Sequence, residues 1–161
     1  MNTKQLYYAL SNQRLTKKLF DGVYARDTLE DIQSKPSLII CNTDRSSKKG
    51  KHWVLFYFEG DVCEFYDSLG HNLTFYGKEF ETFVSRFAVK YRFTRNRTQP
   101  KNTKLCGVYC LFFAFWRCQG ISMRRIIRGM RRGSNICKLV EVAFRICLHY
   151  PCPLLQNVLA Y

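Results

Sequence analysis

The chain has 161 residues, 47% apolar and 16% aromatic, enough for a single domain with a sizeable core and too few for two. Its longest apolar stretch, residues 105–116, falls short of the roughly 20 that a membrane-crossing helix needs, and no basic-then-apolar leader opens it, so a soluble, intracellular protein with no membrane partner is expected. The net charge of +14 is one-sided: residues 1–81 balance 11 Lys/Arg against 11 Asp/Glu, whereas residues 82–161 hold 15 Lys/Arg and one acid, Glu141, a bias that favours a polyanionic partner, nucleic acid first.

In chain order, residues 2–10 carry Leu6 and Leu10 at helical spacing behind Thr3, a cap candidate. Asp21-Gly22 reads as a turn within residues 19–24. Residues 37–41 make a compact strand-like run, and a polar loop follows over 42–51. Residues 52–58 are aromatic and β-branched, Glu59-Gly60-Asp61 is a tight turn, and residues 62–67 continue as a second strand, so a central hairpin is expected.

Residues 75–88 start irregularly, but Phe80, Phe83, Val84 and Phe87 fall on one helical face. Residues 89–94 alternate like a half-buried strand, and 95–104 form a basic loop with Pro100. Residues 105–118 are apolar nearly all round and predict a buried central helix; Ser122 then caps a basic helix to about Arg132, and Ser134 opens another to about Leu148. The order predicts an α+β fold: a central mixed sheet flanked by helices, with a core over about 37–120 and a basic helical part over about 121–161.

Eight cysteines without any C-x-x-C pair argue against a zinc ribbon, and without a leader against a disulfide framework. His149 near Cys147 and Cys152 has no second matching pair, so no metal is expected.

Four residues combine into a possible chemistry. Cys106 opens the apolar helix, where the helix dipole and a nearby imidazolium favour the thiolate. His52, at the head of the first hairpin strand, can take and return the proton, given a group that fixes its ring. Asp67 closes the second strand and, in an antiparallel hairpin, falls beside His52. Gln99 and the Cys106 backbone N–H can supply two oxyanion donors. Gly107 leaves the turn unobstructed, and Trp53 can shield the His-Asp pair from water. Taken singly, each residue has an ordinary structural reading: a buried thiol, a polar strand end, a turn, a loop. Their order and spacing carry the inference.

Cys41-Asn42-Thr43 before a polar loop, then His52-Trp53, Tyr66-Asp67, Gln99 and Cys106-Gly107-Val108-Tyr109-Cys110 together resemble the adenovirus protease, adenain, and its clan, which includes the SUMO-deconjugating proteases. The resemblance reaches back to Phe20-Asp21-Gly22-Val23-Tyr24 and covers about residues 1–120. The gap of seven from Gln99 to Cys106 looks like adenain, whereas Asp67-Ser68-Leu69 looks more like the deconjugases. It implies a cysteine endopeptidase that acts on viral or virus-like-element precursor proteins at glycine-containing motifs, located in the host nucleus and virion if viral. The alternatives are a ubiquitin-like-protein isopeptidase and a non-catalytic basic DNA-binding domain.

The chemistry requires no cofactor. Family resemblance implies activation by DNA, for which Arg92, Arg95, Arg97, Lys101 and Lys104 before the nucleophile, and Arg124, Arg128 and Arg132 with Arg125 and Arg131 beside them, are the candidate contacts of a sequence-independent kind. A disulfide-linked peptide activator is not supported, since no cysteine falls between Asp67 and Gln99. Cys110, one turn beyond Cys106, reads as a small buried residue, and the protein is expected to be a monomer.

Overall fold

The computed structural model describes residues 1–131, which form an α+β fold of five strands and four α-helices. Helix α1 (Thr3–Asn12) leads into strand β1 (Phe20–Ala25), followed by β2 (Ser37–Asn42), β3 (Trp53–Glu59) and β4 (Val62–Tyr66). A 3₁₀ turn (Leu73–Tyr76) precedes α2 (Lys78–Phe87), then come β5 (Lys90–Phe93), α3 (Cys106–Arg117) and α4 (Met123–Arg131). The sheet runs β1-β2-β3-β4-β5 in space, with β1–β2 and β4–β5 parallel and the two inner pairs antiparallel. The helix expected over 134–148 lies outside the described residues.

The inner strands are apolar at successive positions because both faces of the sheet are covered. Leu38, Ile40, Leu55, Tyr57 and Tyr66 face the cluster built with α1, α3 and α4. Ile39, Cys41, Val54, Phe56, Phe58 and Phe65 face the one built with α2, where Phe80, Phe83 and Val84 supply the expected apolar stripe. Phe56 is central there, with its ring 5.1–5.7 Å from those of Phe65, Phe80 and Phe83.

Three local expectations change. Asn2, not Thr3, caps α1: it accepts from the Gln5 N–H at 2.9 Å while the Gln5 side chain accepts from the Asn2 N–H at 3.0 Å, a reciprocal box that Thr3 cannot make from inside the helix. Asp21-Gly22 does not turn the chain but lies within β1, at a shift in its register with β2. A Cβ on Gly22 would stand 2.6 Å from the Tyr24 ring, so the glycine admits that ring rather than a reversal. Strand β5 is an edge strand, with Tyr91 41% exposed and Val89 just before it 80% exposed, because apolar/polar alternation marks a buried face only where a second layer covers it.

One charge sits inside the mostly apolar α3. Arg117 donates to Glu64 at 2.7 Å and Glu59 at 2.6 Å, with its guanidinium 4.1 Å from the Tyr57 ring centroid. These pairs tie the far end of α3 to the β3–β4 hairpin.

Candidate active site

The hairpin sets the first pair. Leu55 lies opposite Tyr66 in the antiparallel register, so the residues that flank the open end, His52 and Asp67, meet there. His52 Nε2 lies 2.6 Å from Asp67 Oδ1, with Asp67 fully buried and His52 8% exposed. The carboxylate is satisfied all round: Oδ1 also accepts from the Leu69 N–H at 2.8 Å, and Oδ2 from the His71 N–H at 2.8 Å and the Tyr76 hydroxyl at 2.9 Å. Burial opposes its charge, but the His52 hydrogen bond, the imidazolium charge and the two backbone donors outweigh it and hold its pKa below the usual carboxylate value.

With Nε2 directed at Asp67, the His52 ring also interacts with the Cys106 thiol, which bears on the charge of both groups. Burial works against an imidazolium here; the hydrogen bonds to Asp67 and Cys106, and their charges, overcome it and raise the His52 pKa from 6.5 to about 9. Cys106 moves the opposite way. Burial would raise its pKa, yet the His52 hydrogen bond, the Trp53 and Gly107 backbone N–H groups and the imidazolium charge lower it. It is the first residue of α3, whose N-cap, Leu105, makes no side-chain capping bond, so the free N–H groups of that turn face the thiol end. The two shifts favour the thiolate and the imidazolium together.

Titration gives a direct check. Alkylation of Cys106 by iodoacetamide, followed by peptide mapping, should be faster at neutral pH than that of an ordinary thiol and should slow as pH falls through the lowered thiol pKa. The imidazolium, stabilised in the folded protein, is lost as pH rises through about 9, and any reaction that needs it as an acid declines there.

Gln99 is buried in the loop before α3. Its Oε1 accepts from the Ser68 hydroxyl at 2.8 Å, its Nε2 donates to the Thr103 carbonyl at 2.6 Å, and its backbone N–H donates to the Ser68 carbonyl at 3.0 Å. That orientation leaves Nε2 a second hydrogen. The loop and the Asp67 turn are joined through Gly70, at φ +85°, where a Cβ would stand 2.8 Å from the Arg97 nitrogen. Trp53 is anchored by its indole N–H to the Met1 carbonyl at 3.1 Å, and a Cβ on Gly107 would meet Met1 at 3.2 Å and Trp53 at 3.4 Å, so this glycine serves close packing at the helix start.

Cys110 is fully buried, its thiol directed at the Trp53 carbonyl 3.5 Å away, and burial pushes its pKa far up. It is chemically silent beside Cys106. Sequence reasoning missed Tyr76, His71 and Ser68. Ser68 stood within the Asp67-Ser68-Leu69 segment, but nothing in the pattern aimed Tyr76, nine residues after Asp67, at that carboxylate.

The basic residues divide. Arg92 and Arg95 meet Arg124, Arg128 and Arg131 across a groove of about 1050 Å³ between β5 and α4. Arg97, Lys101 and Arg125 do not line it, and Arg132 lies outside the described residues. Lys104 is parted from that group and lines a different cleft, the one that reaches Cys106. Among the described residues no group of three metal-ligand side chains is assembled, and no helix is long and apolar enough to cross a membrane. His149, Cys147 and Cys152 lie outside those residues.

The mixed sheet with α3 packed on one face is an arrangement that solved structures share. The chain is similar to the crystal structure of the ASFV pS273R protease, with a TM-score of 0.56 at 18% identity over 90% of this chain. It spans 65% of that protein's length. A selenomethionine form of the same protease matches at TM-score 0.41 and 22% identity, over 68% of this chain and 43% of the other. The SUMO protease Ulp1, with its catalytic cysteine oxidized to a sulfinic acid, matches at TM-score 0.46 and 13% identity, over 92% and 78%. No protein-family model matches the chain, and no curated protein matches it.

Proposed function

We propose that the protein is a cysteine endopeptidase in which Cys106 is the nucleophile, His52 the acid–base group, Asp67 its orienting partner and Gln99 an oxyanion donor. The observation that carries this reading is the buried 2.6 Å His52–Asp67 contact, with Cys106 acting on the same imidazole from an uncapped helix start. The Cys106 thiolate adds to the scissile carbonyl carbon, and the resulting oxyanion is met by the Gln99 side-chain amide and the Cys106 backbone N–H. Collapse breaks the C–N bond and the departing amine takes the proton of the His52 imidazolium. Water then attacks the thioester, giving its proton to His52, and the acid product leaves with the thiolate–imidazolium pair restored.

Protein substrates cleaved at glycine-containing motifs, in viral or virus-like-element precursors, fit the adenain resemblance. Activation by DNA is supported by the convergence of Arg92 and Arg95 with Arg124, Arg128 and Arg131, clusters far apart in sequence, on one groove away from the cleft.

The test sets purified protein, with and without duplex DNA, against a glycine-motif peptide and a ubiquitin-like fusion, with products read by mass spectrometry. Peptide cleavage, raised by DNA at low salt and less so at high salt, is expected. Cleavage of the fusion alone moves the protein to the isopeptidases; DNA binding with no cleavage of either leaves the binding-domain reading.

A further inference from the structure

The cleft that ends at Cys106 has a volume of about 740 Å³ and a strongly one-sided lining. Arg45, Lys48, Lys49, Lys51 and Lys104 line it, against a single carboxylate, Asp44. Arg45 is already engaged by Glu79 at 2.8 Å. The four lysines make no ion pair among the described residues, and all are exposed.

The loop that presents them is held in shape. The Thr43 N–H donates to the His52 carbonyl at 2.9 Å, the Asp44 N–H to Asn42 Oδ1 at 2.9 Å, and the Lys48 N–H to the Arg45 carbonyl at 2.9 Å. Ser46 donates twice to Asp27, at 2.7 and 3.0 Å. Gly50 closes the loop at φ +80°, with no room for a Cβ against the Asn42 amide, 2.4 Å away. So Lys48, Lys49 and Lys51 stand on a fixed frame in the loop that leads into His52, and Lys104, two residues before Cys106, lines the same cleft.

We infer that this cleft selects polypeptides carrying acidic residues close to the scissile bond, the lysines supplying the charge that recognises them. The inference rests on the peptidase reading, since an occupant that reaches Cys106 is a chain to be cut. Its rim cations are solvated, and each exposed pair changes an equilibrium by a factor of roughly 1.5 to 5, so two or three acting together give about tenfold.

Three peptides sharing a central Gly-Gly and flanked on both sides by Glu, Gln or Lys serve as probes. Binding is read by fluorescence anisotropy on the Cys106→Ala protein, and cleavage on the wild type. The Glu peptide should bind about tenfold more tightly than the Gln peptide. That gap should shrink to within about twofold at high salt, and likewise in the variant carrying Lys48→Gln, Lys49→Gln and Lys51→Gln. Equal binding of Glu and Gln peptides, or a preference that survives the triple substitution, overturns the inference. So does a short duplex DNA bound through the same three lysines while the peptides stay indistinguishable. Cleavage of Glu and Gln peptides with equal kcat/KM sinks acidic selection and keeps the peptidase; preferential Glu binding with no cleavage of any peptide keeps the acidic docking and sinks the peptidase.

Discussion

Cys106→Ala should lower kcat/KM by about 10⁵-fold or more, because a member of a unit that acts jointly removes nearly all of its effect when lost alone. The protein should still fold. Cys106 is at the cleft, and its removal leaves the His52–Asp67 bond and every other donor on Asp67 in place. The control is Cys110→Ala, four residues along the same helix. Its buried thiol contributes packing, so about 1 kcal/mol of stability should go while activity stays. Iodoacetamide with peptide mapping separates the two: rapid modification at position 106 on wild type and on Cys110→Ala, and loss of that one adduct on Cys106→Ala.

Asp67 should give the second large effect, and its two substitutions should part company. Asp67→Asn keeps the size and one oxygen for His52, but the imidazolium loses its counter-charge. With it the thiolate loses its stabilising partner, and kcat/KM should fall about 10² to 10⁴-fold. Alkylation of Cys106 at pH 6 should slow in parallel, a result that a merely structural role would not produce. In Asp67→Ala the Leu69 and His71 N–H groups and the Tyr76 hydroxyl all lose their acceptor in a buried site. At roughly 1–3 kcal/mol for each donor left unsatisfied, the loss should reach about 3 kcal/mol or more, read from urea denaturation. Asp67→Asn should lose less, since its oxygen still accepts from the Leu69 N–H and Tyr76 can rotate its hydroxyl to accept from the new amide, which leaves the His71 N–H as the donor without an acceptor.

The hairpin was legible because aromatic and β-branched runs on either side of Glu59-Gly60-Asp61 admit little else, and once paired they bring His52 to Asp67 without further help. Cys106 at a helix start was legible for a similar reason: the polar, Pro-containing loop ends abruptly in an apolar run. What stayed hidden depends on distant contacts. Tyr76 belongs to a short 3₁₀ turn with no periodicity of its own, and reaches Asp67 only because α2 packs that turn against the sheet. The Asp21-Gly22 misreading has the same root, since a local turn pair yields to the ladder that β2 offers. Lys104 looked like part of one basic cluster, and chain proximity could not reveal that Arg92 and Arg95 line a different groove.

Strand β3 is buried on both of its faces, and that fixes more than stability. A slip of one residue against β4 would send Phe56 and Phe58 to the face that receives Leu55 and Tyr57, and would carry His52 past Asp67 in the same movement. Mispaired hairpins therefore cannot retain a misaligned but serviceable version of the site. Any chain that has assembled the pair has also sorted its strands correctly, so proofreading of the fold is written into the chemistry itself.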